Sequence, residues 1–271
     1  MVRGVIFDVD GTLAETERDG HRVAFNRAFA SLKLPDRWDE QLYGELLWVS
    51  GGKERLRFYF EHYRFPPLDG DERDWLAIEL HRRKNEFLLQ MIREGQLPPR
   101  PGVVRFVGAI QDAHIPVAIA TTGSREWVEP LLRTLLGPER FQRLAAIVTG
   151  DDVQRKKPDP EAYELAVSRL GLAPHEVIAV EDSQNGLEAA KRAGLTCLVV
   201  RSRYSHNHDF QNADLVVDEF GTPRDPTRVL WNPHGIAVNG MLDVATLRRL
   251  HDQCSVISDQ WAVGSEGITG H

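Results

Sequence analysis

Cysteines and long apolar runs are scarce in this sequence, and their scarcity excludes two classes of protein. Two cysteines, Cys197 and Cys254, occur in 271 residues, so a fold held together by disulfides is excluded and a reducing compartment, the cytoplasm, is expected. No apolar run approaches the ~20 residues that a membrane-spanning helix requires. An apolar strand is predicted only a few residues after Met1, so no signal peptide is expected.

Positive charge is scarce as well. The 33 lysine and arginine residues are outnumbered by 40 acidic residues, and the formal net charge is −7. This balance argues against nucleic acid and anionic membranes as partners, so an anionic small-molecule substrate would need a local cluster of positive charge. The hydrophobic fraction of 42% suffices for one large domain or for a core with a smaller partner. The oligomeric state stays open, with a monomer favoured.

The stretch V-I-F-D-V-D-G-T at residues 5–12 predicts a buried strand that ends in a chemical site. Asp8 and Asp10 are two residues apart, so on an extended chain both carboxylates can address one spot. Open α/β sheets bind ligands beyond the carboxyl ends of their strands, and Gly11 permits a sharp turn that exposes backbone N–H groups. An ordinary strand followed by a turn is the alternative interpretation, so other strand ends must supply supporting residues.

The rest of the chain predicts a parallel sheet interrupted by a helical insertion. Residues 16–96 have apolar positions at three- and four-residue spacing, strong breaks at Gly51-Gly52 and at residues 66–70, and no convincing strand. From about residue 100 apolar strands alternate with helices, the pattern of a doubly wound parallel sheet. The strands predicted after the insertion cover residues 115–120, 145–149, 177–180, 197–200 and 215–217.

These patterns define the expected fold class and domains. We expect an α/β fold in which residues 1–15 and 97–220 form the core and residues 16–96 form an all-helical insertion. Residues 221–271 form a C-terminal extension to which the sequence assigns no role. One modest helix is expected there at residues 242–250, and residues 255–271 are expected to be loosely ordered.

Three further segments carry polar residues where a strand ends or a helix begins. Thr121 and Thr122 follow a predicted strand, and a hydroxyl with free N–H groups at such a turn can bind phosphate oxygens. Lys157 precedes a helix start marked by proline. Glu181 and Asp182 follow a buried strand directly and suit a hard cation such as Mg²⁺. Taken singly, these features are also typical of a helix cap, a solvated lysine and a solvated helix terminus.

The order of these motifs, D-x-D-G-T, a hydroxyl after a strand, Lys, then E-D, resembles the haloacid dehalogenase superfamily of phosphohydrolases over residues 1–15 and 100–220. The resemblance implies that Asp8 attacks phosphorus to form an aspartyl-phosphate and that Asp10 acts as general acid and then as general base. It also implies phosphate binding by Thr121, Thr122 and Lys157.

The same resemblance implies a Mg²⁺ cofactor. Its ligands would be Asp8, the backbone carbonyl of Asp10, and Asp182, with Glu181 a ligand or a support for the ligands. The helical insertion matches the mobile cap domain of the family, and we expect it to close over substrate on hinges near residues 14–18 and 95–101.

The insertion supplies the local positive charge that an anionic substrate needs, because four basic residues face two acidic ones between positions 51 and 64. The alternative is a set of ordinary charge pairs on a helix surface. The segments A-E-T-E-R-D-G-H-R-x-x-F-N and V-S-G-G-K-E-R are similar to the CbbY-type sugar-bisphosphate phosphatases, which act on xylulose 1,5-bisphosphate, an inhibitory by-product of Rubisco. This similarity implies a set of substrate-binding residues: Glu17 for the sugar hydroxyls, His21, Lys53 and Arg55 for a distal phosphate, and Tyr43 and Gly52 as weaker candidates.

Two other functions remain open at this point. A β-phosphoglucomutase-like enzyme has the same core and cap but returns the phosphoryl group to a different oxygen. A regulatory or binding protein without catalytic activity is the third possibility, because a fold alone never proves a function.

Overall fold

The computed structural model of the protein describes the backbone of residues 1–49, 51–64 and 68–264, and side chains as far as residue 254. The chain divides into two compact units. One consists of Met1–Glu15 together with the chain from Pro98 onward, and the other of Thr16–Leu97. Among the described helices, none is both long and apolar enough to cross a bilayer.

The described residues of the Thr16–Leu97 unit form helices joined by loops, and no strand. A π-helical turn, Thr16–His21, leads into four α-helices: α1 (Arg22–Ser31), α2 (Glu40–Leu46), α3 (Gly52–His62) and α4 (Gly70–Arg93). Its core is aromatic, because Trp38 packs against Phe25 and Phe29 of α1 with ring centroids 4.7 and 5.2 Å away. The N-terminus of α4 is capped by Asp69, whose carboxylate accepts a hydrogen bond from Glu72 N at 2.8 Å.

The other unit is built on one sheet. Its strands are β1 (Gly4–Phe7), β2 (Val117–Ala120), β3 (Leu144–Val148), β4 (Val177–Glu181), β5 (Thr196–Val200), β6 (Leu215–Val217) and β7 (Val229–Trp231). They lie in the order β3-β2-β1-β4-β5-β6-β7, and every neighbouring pair is parallel except β6 and β7. This is the doubly wound sheet that the sequence predicts.

The central strand of the sheet is β1. Val5 pairs with Val117 of β2 on one side and with Ile178 of β4 on the other. All four β1 residues are buried, which explains its unbroken apolar run. Since the chain continues to β2 and β3 on one side and to β4 and β5 on the other, the strand order reverses beside β1. Open α/β sheets bind ligands at such a switch point.

Helices follow the strands in alternation. They are α5 (Val103–Asp112), α6 (Arg125–Gln142), α7 (Glu161–Leu170), α8 (Gln184–Arg192) and α9 (Val244–Gly264), with a 3₁₀ turn at Pro174–Glu176. A non-helical Gly137 interrupts α6 (φ 77°, ψ 161°). Cys197 is buried, Cys254 is partly buried, and both are free thiols.

The C-terminal extension is more regular than the sequence predicts. Val229–Trp231 forms an antiparallel edge strand, and the helix predicted over residues 242–250 continues to Gly264. The prediction of loose order was therefore wrong for residues 255–264, while residues 265–271 lie outside the described chain. The strand was missed because three exposed apolar residues show no alternation.

Candidate active site

Two buried strands bring three carboxylates together. Asp8 follows β1 directly, and its backbone N–H donates to Val180 O of β4 at 3.0 Å. Glu181 ends β4 and Asp182 follows it. Asp8 and Asp182 are each 7% exposed and Glu181 is fully buried. One carboxylate oxygen from each of the three lies within 4.8 Å of the others, as the carboxyl ends of adjacent parallel strands require.

Lys157 supplies positive charge to this carboxylate cluster. Its ammonium nitrogen lies 2.7 Å from Asp8 Oδ1 and 2.5 Å from Glu181 Oε1. It also donates to Ala120 O, the last residue of β2, at 2.8 Å. Lys157 therefore connects the ends of β1, β2 and β4, and its side chain is 5% exposed.

The electrostatics of the cluster show an excess of negative charge. Burial raises the pKa of Asp8 well above its usual value, with Lys157 opposing this and Glu181 adding to it. Burial and the neighbouring Glu181 raise the pKa of Asp182 to about 8. Burial alone would lower the pKa of Lys157, but the Asp8 and Glu181 carboxylates outweigh it and hold that pKa above the usual value. Three buried carboxylates facing one ammonium group fit a divalent cation with oxygen ligands.

Glu181 has a different environment from the other two carboxylates. Its Oε1 accepts from Lys157 and, at 2.7 Å, from the hydroxyl of Tyr163. Its Oε2 accepts from Asp182 N at 3.1 Å and from Ser183 Oγ at 3.2 Å. A Cβ atom at position 186 would lie 1.9–2.0 Å from this carboxyl group, so only glycine fits there. Glu181 is thus suited to holding Lys157 in place and Asp8 and Asp182 to binding a cation.

Tyr163 is a site residue that sequence reasoning missed. It lies on α7, is fully buried, and its ring lies 4.7 Å from the Lys157 ammonium. Burial and the adjacent Glu181 raise the pKa of its phenol well above the usual value, so the hydroxyl is a hydrogen-bond donor. The available signal was its place on the otherwise aliphatic buried face of α7, beside Ala162, Ala166 and Val167.

The other predicted core residues occupy loops at the same edge of the sheet. Thr121 follows β2 and is fully buried, its backbone N–H donates to Val148 O at 3.0 Å, and its Oγ1 accepts from Gly123 N at 3.1 Å. Thr122 is partly exposed. Asp10 is partly exposed and lies in the loop after β1, in a bridge with Ala14. Gly11 has φ of +80°, the left-handed region that favours glycine.

In the helical unit, the structure brings Glu17, Tyr43 and Arg55 together. The Tyr43 hydroxyl donates to Glu17 Oε2 at 2.5 Å and accepts from Arg55 Nη1 at 3.0 Å. Arg55 is 7% exposed, and its Nε donates to Leu46 O at 3.2 Å. These contacts of the Arg55 guanidinium all lie within its own unit.

The other predicted cap residues surround a histidine that the sequence analysis missed. A Cβ atom on Gly52 would lie 2.7 Å from the His81 ring. Burial lowers the pKa of His81 to about 4, and the charges of Lys84, Lys53 and His21 add to this. His21 and Lys84 are buried, whereas Lys53 is exposed. A lysine at an apolar position of α4, spaced four residues from both Leu80 and Leu88, was the signal for Lys84.

Two other basic residues of the predicted cluster have acidic partners in the same unit. Arg57 Nε lies 2.7 Å from Asp74, and Arg64 Nε lies 3.7 Å from Asp36. Arg57 follows the alternative interpretation of a surface charge pair, whereas the Asp36 side chain that faces Arg64 is only 4% exposed.

The chain is similar to known proteins over most of its length. Residues 2–194 match the model of the haloacid dehalogenase-like hydrolase family. A CBBY-like protein of Arabidopsis thaliana is 44% identical over 222 residues, 81% of this chain and 69% of the relative. Protein CbbY of Cereibacter sphaeroides is 40% identical and covers 81% of this chain and 93% of the relative. The crystal structure of a CbbY mutant from Rhodobacter sphaeroides in complex with xylulose 1,5-bisphosphate superposes with a TM-score of 0.71 at 39% identity, covering 81% of this chain and 95% of that one.

Proposed function

The chain belongs to the haloacid dehalogenase-like hydrolase family, and from this premise we propose that it is a magnesium-dependent phosphatase that hydrolyses a sugar bisphosphate. The predicted family and the predicted enzyme class, a phosphoric monoester hydrolase, are confirmed. The substrate that we propose is xylulose 1,5-bisphosphate, converted to xylulose 5-phosphate with removal of a Rubisco inhibitor. The observation that carries the proposal is the buried cluster of Asp8, Glu181 and Asp182, in which Asp8 and Glu181 both contact the Lys157 ammonium group.

Asp8 is the proposed nucleophile. Because Lys157 holds Oδ1 at 2.7 Å, the carboxylate has a fixed orientation, and we assign the attack on phosphorus to its other oxygen. A new bond from that oxygen to phosphorus forms while the bond from phosphorus to the sugar oxygen breaks, giving an aspartyl-phosphate. Asp10 gives its proton to the departing sugar oxygen and later takes one from the water that attacks the phosphorus atom, which releases inorganic phosphate and regenerates Asp8.

The cofactor that we propose is Mg²⁺. The Asp8 and Asp182 carboxylates and the Asp10 backbone carbonyl would be its ligands. Glu181 would support these ligands without binding the ion itself. When bound, the ion reduces the repulsion between the phosphoryl oxygens and the attacking carboxylate. Thr121, the Thr122 N–H and Lys157 are the proposed donors to the transferring phosphoryl group.

The Thr16–Leu97 unit is proposed as a cap that carries the substrate-recognition residues. The basic side chains of His21, Lys53 and Lys84 lie near His81, which itself adjoins Gly52, and they are the proposed clamp for the second phosphate. Glu17 and Tyr43 would contact sugar hydroxyls. Arg55 keeps its proposed role at the distal phosphate, and two of its hydrogen bonds, to Tyr43 and Leu46, would also orient Tyr43 and Glu17.

The test is phosphate release across sugar mono- and bisphosphates with and without Mg²⁺, with Asp8→Asn as the inactive control. The proposal expects Mg²⁺-dependent turnover, fastest with xylulose 1,5-bisphosphate. Equal rates with monophosphates would retain the phosphatase and reject the bisphosphate assignment. Conversion of a sugar phosphate into its isomer without phosphate release would indicate a mutase. No turnover of any phosphate ester would indicate a protein without catalytic activity. The cytoplasmic location stays part of the proposal, and cell fractionation tests it.

A further inference from the structure

Arg100 is a buried arginine that contacts the loop after β1, and it has no part in the proposed chemistry. It is 3% exposed. Its two terminal nitrogens donate four hydrogen bonds, all to backbone carbonyls: Nη1 to Gly11 O at 2.5 Å and Val200 O at 3.0 Å, and Nη2 to Arg201 O at 2.9 Å and Asp218 O at 3.0 Å. These carbonyls come from three separate parts of the sheet: the loop after β1 and the ends of β5 and β6.

The charge of Arg100 is balanced inside the same unit. Nη2 lies 3.1 Å from Glu219 and Nε lies 3.9 Å from Glu15. The Arg100 backbone N–H also donates to Leu13 O at 2.9 Å. Burying a guanidinium group is costly unless it is paired and hydrogen-bonded. An arrangement of the loop after β1 that lost these contacts would therefore be unfavourable, and the contacts favour the one observed.

The contact with Gly11 bears directly on the catalytic groups. Gly11 follows Asp10 in the chain, and a Cβ atom at Gly11 would lie 2.1 Å from Asp182 Oδ2. The Gly11 backbone is therefore packed against Asp182 while its carbonyl is held by Arg100. A shift of this peptide would move the backbone of Asp10 relative to Asp182.

We propose that Arg100 is a positioning residue for catalysis: it holds the Gly11 peptide, and through it Asp10, at the correct distance from Asp182. This inference rests on the proposed function, in which the Asp10 side chain transfers the proton and its carbonyl serves the cation. Arg100 touches neither substrate nor cation. Misplacement of a catalytic group by about 1 Å costs up to about 100-fold in rate, so loss of Arg100 should act on kcat and not on substrate affinity.

A purely structural role is the competing explanation, and Arg105 provides a matched control. Arg105 also donates only to backbone carbonyls, Leu242 O at 2.9 Å and Phe220 O and Gly221 O at 3.1 Å each. Its partners lie at the end of the sheet domain and in the C-terminal extension, and none is in the loop after β1. Truncation of Arg105 thus removes a similar number of hydrogen bonds without releasing Gly11.

The experiment compares Arg100→Ala and Arg105→Ala with the wild-type protein. Steady-state kinetics give kcat and KM, calorimetric titration gives Mg²⁺ affinity, and thermal unfolding gives Tm. We expect a similar fall in Tm in both variants, a kcat loss of about 100-fold in Arg100→Ala with KM nearly unchanged, and weaker Mg²⁺ binding in that variant alone. Millimolar ethylguanidinium should restore part of the Arg100→Ala rate and leave Arg105→Ala unchanged.

Each outcome decides the inference. Equal kcat losses in the two variants, or no rescue together with wild-type Mg²⁺ affinity, would overturn it. If Arg100→Ala does not fold, Arg100→Lys keeps the charge but cannot bond four carbonyls, and it should show the same selective loss of kcat. Wild-type protein that turns over no phosphate ester would refute the proposed function, whereas an active wild type with a fully active Arg100 variant would refute this inference alone.

Discussion

The ammonium group of Lys157 lies 2.5 Å from Glu181 Oε1, and the two side chains are 5% and 0% exposed. This ion pair joins the segment before α7 to the end of β4, and it is shared with Asp8 and Tyr163. Because water is excluded from both partners, each depends on the other for compensation. Lys157 consequently has two roles, one in holding the sheet edge together and one in orienting the proposed nucleophile.

Glu181→Gln should destabilise the protein because it leaves Lys157 with one carboxylate fewer in a dry environment. Lys157 keeps Asp8 at 2.7 Å, so we expect a loss of about 2–3 kcal/mol in the free energy of unfolding, less than for a buried charge left without any partner, measured by urea denaturation. Tyr163→Phe is the matched control, since it removes the hydroxyl that donates to the same oxygen and accepts from Lys157 at 3.3 Å but removes no charge, and it should cost about 1–2 kcal/mol. Equal stability of Glu181→Gln and wild type would contradict this interpretation.

Gly186→Ala tests the close approach of α8 to the Glu181 carboxyl group. Intrinsic helix propensity alone predicts a gain of about 1 kcal/mol for this change. The Cβ atom would lie 1.9–2.0 Å from Glu181, so we expect a loss of about 1–3 kcal/mol and reduced activity. The control is Gly70→Ala at the start of α4, where a Cβ atom meets nothing within 4 Å. Stabilisation by both substitutions in chemical denaturation would show that the Glu181 environment adapts.

The positions of Asp8 and Asp182 could be predicted from the sequence because each residue directly follows an apolar strand. Asp8 and Asp182 directly follow strands whose burial is visible as unbroken apolar runs, and parallel strands end at one edge. Carboxylates that directly follow two adjacent parallel strands must therefore lie close together in space. Lys157 was predictable only through the order of motifs, since nothing local separates it from a solvated lysine.

The supporting residues could not be predicted in this way. Arg100 acts through carbonyls from Gly11 to Asp218, so its role depends on contacts across 89 and 118 positions of the chain, which no local pattern encodes. Tyr163 and Lys84 carried a weak signal, a polar atom on an apolar helix face. The hydrogen bond from Arg55 to Tyr43 could not be predicted either, because it joins two helices that no local pattern places side by side.

Lys53→Met tests the proposed phosphate clamp in the helical unit. Lys53 is exposed near the start of α3, and loss of a charged contact to a phosphate should raise KM for xylulose 1,5-bisphosphate by about tenfold or more. Hydrolysis of a sugar monophosphate should change little, because only the second phosphate is affected. Arg57→Met is the control, since Arg57 lies on the same helix but pairs with Asp74. A similar KM increase in both variants would contradict a specific contact between Lys53 and the second phosphate, and it would indicate a general effect of surface charge.

Acid should destabilise the helical unit through His81. Burial, with Lys84, Lys53 and His21 nearby, lowers the pKa of His81 to about 4, whereas the unfolded chain titrates near 6.5. The unfolded state therefore binds more protons between about pH 6.5 and pH 4, so this contribution to stability is complete above about pH 6.5 and is lost as the pH falls toward 4.

Urea denaturation at about pH 7, 6, 5 and 4.5 covers this window. The free energy of unfolding should decrease less for His81→Gln than for wild type as the pH falls. His62→Gln is the control, because His62 is an exposed histidine at the end of α3. Parallel stability curves for wild type and His81→Gln would mean that His81 titrates alike in both states, and the assignment of a neutral buried histidine beside the basic side chains would fail.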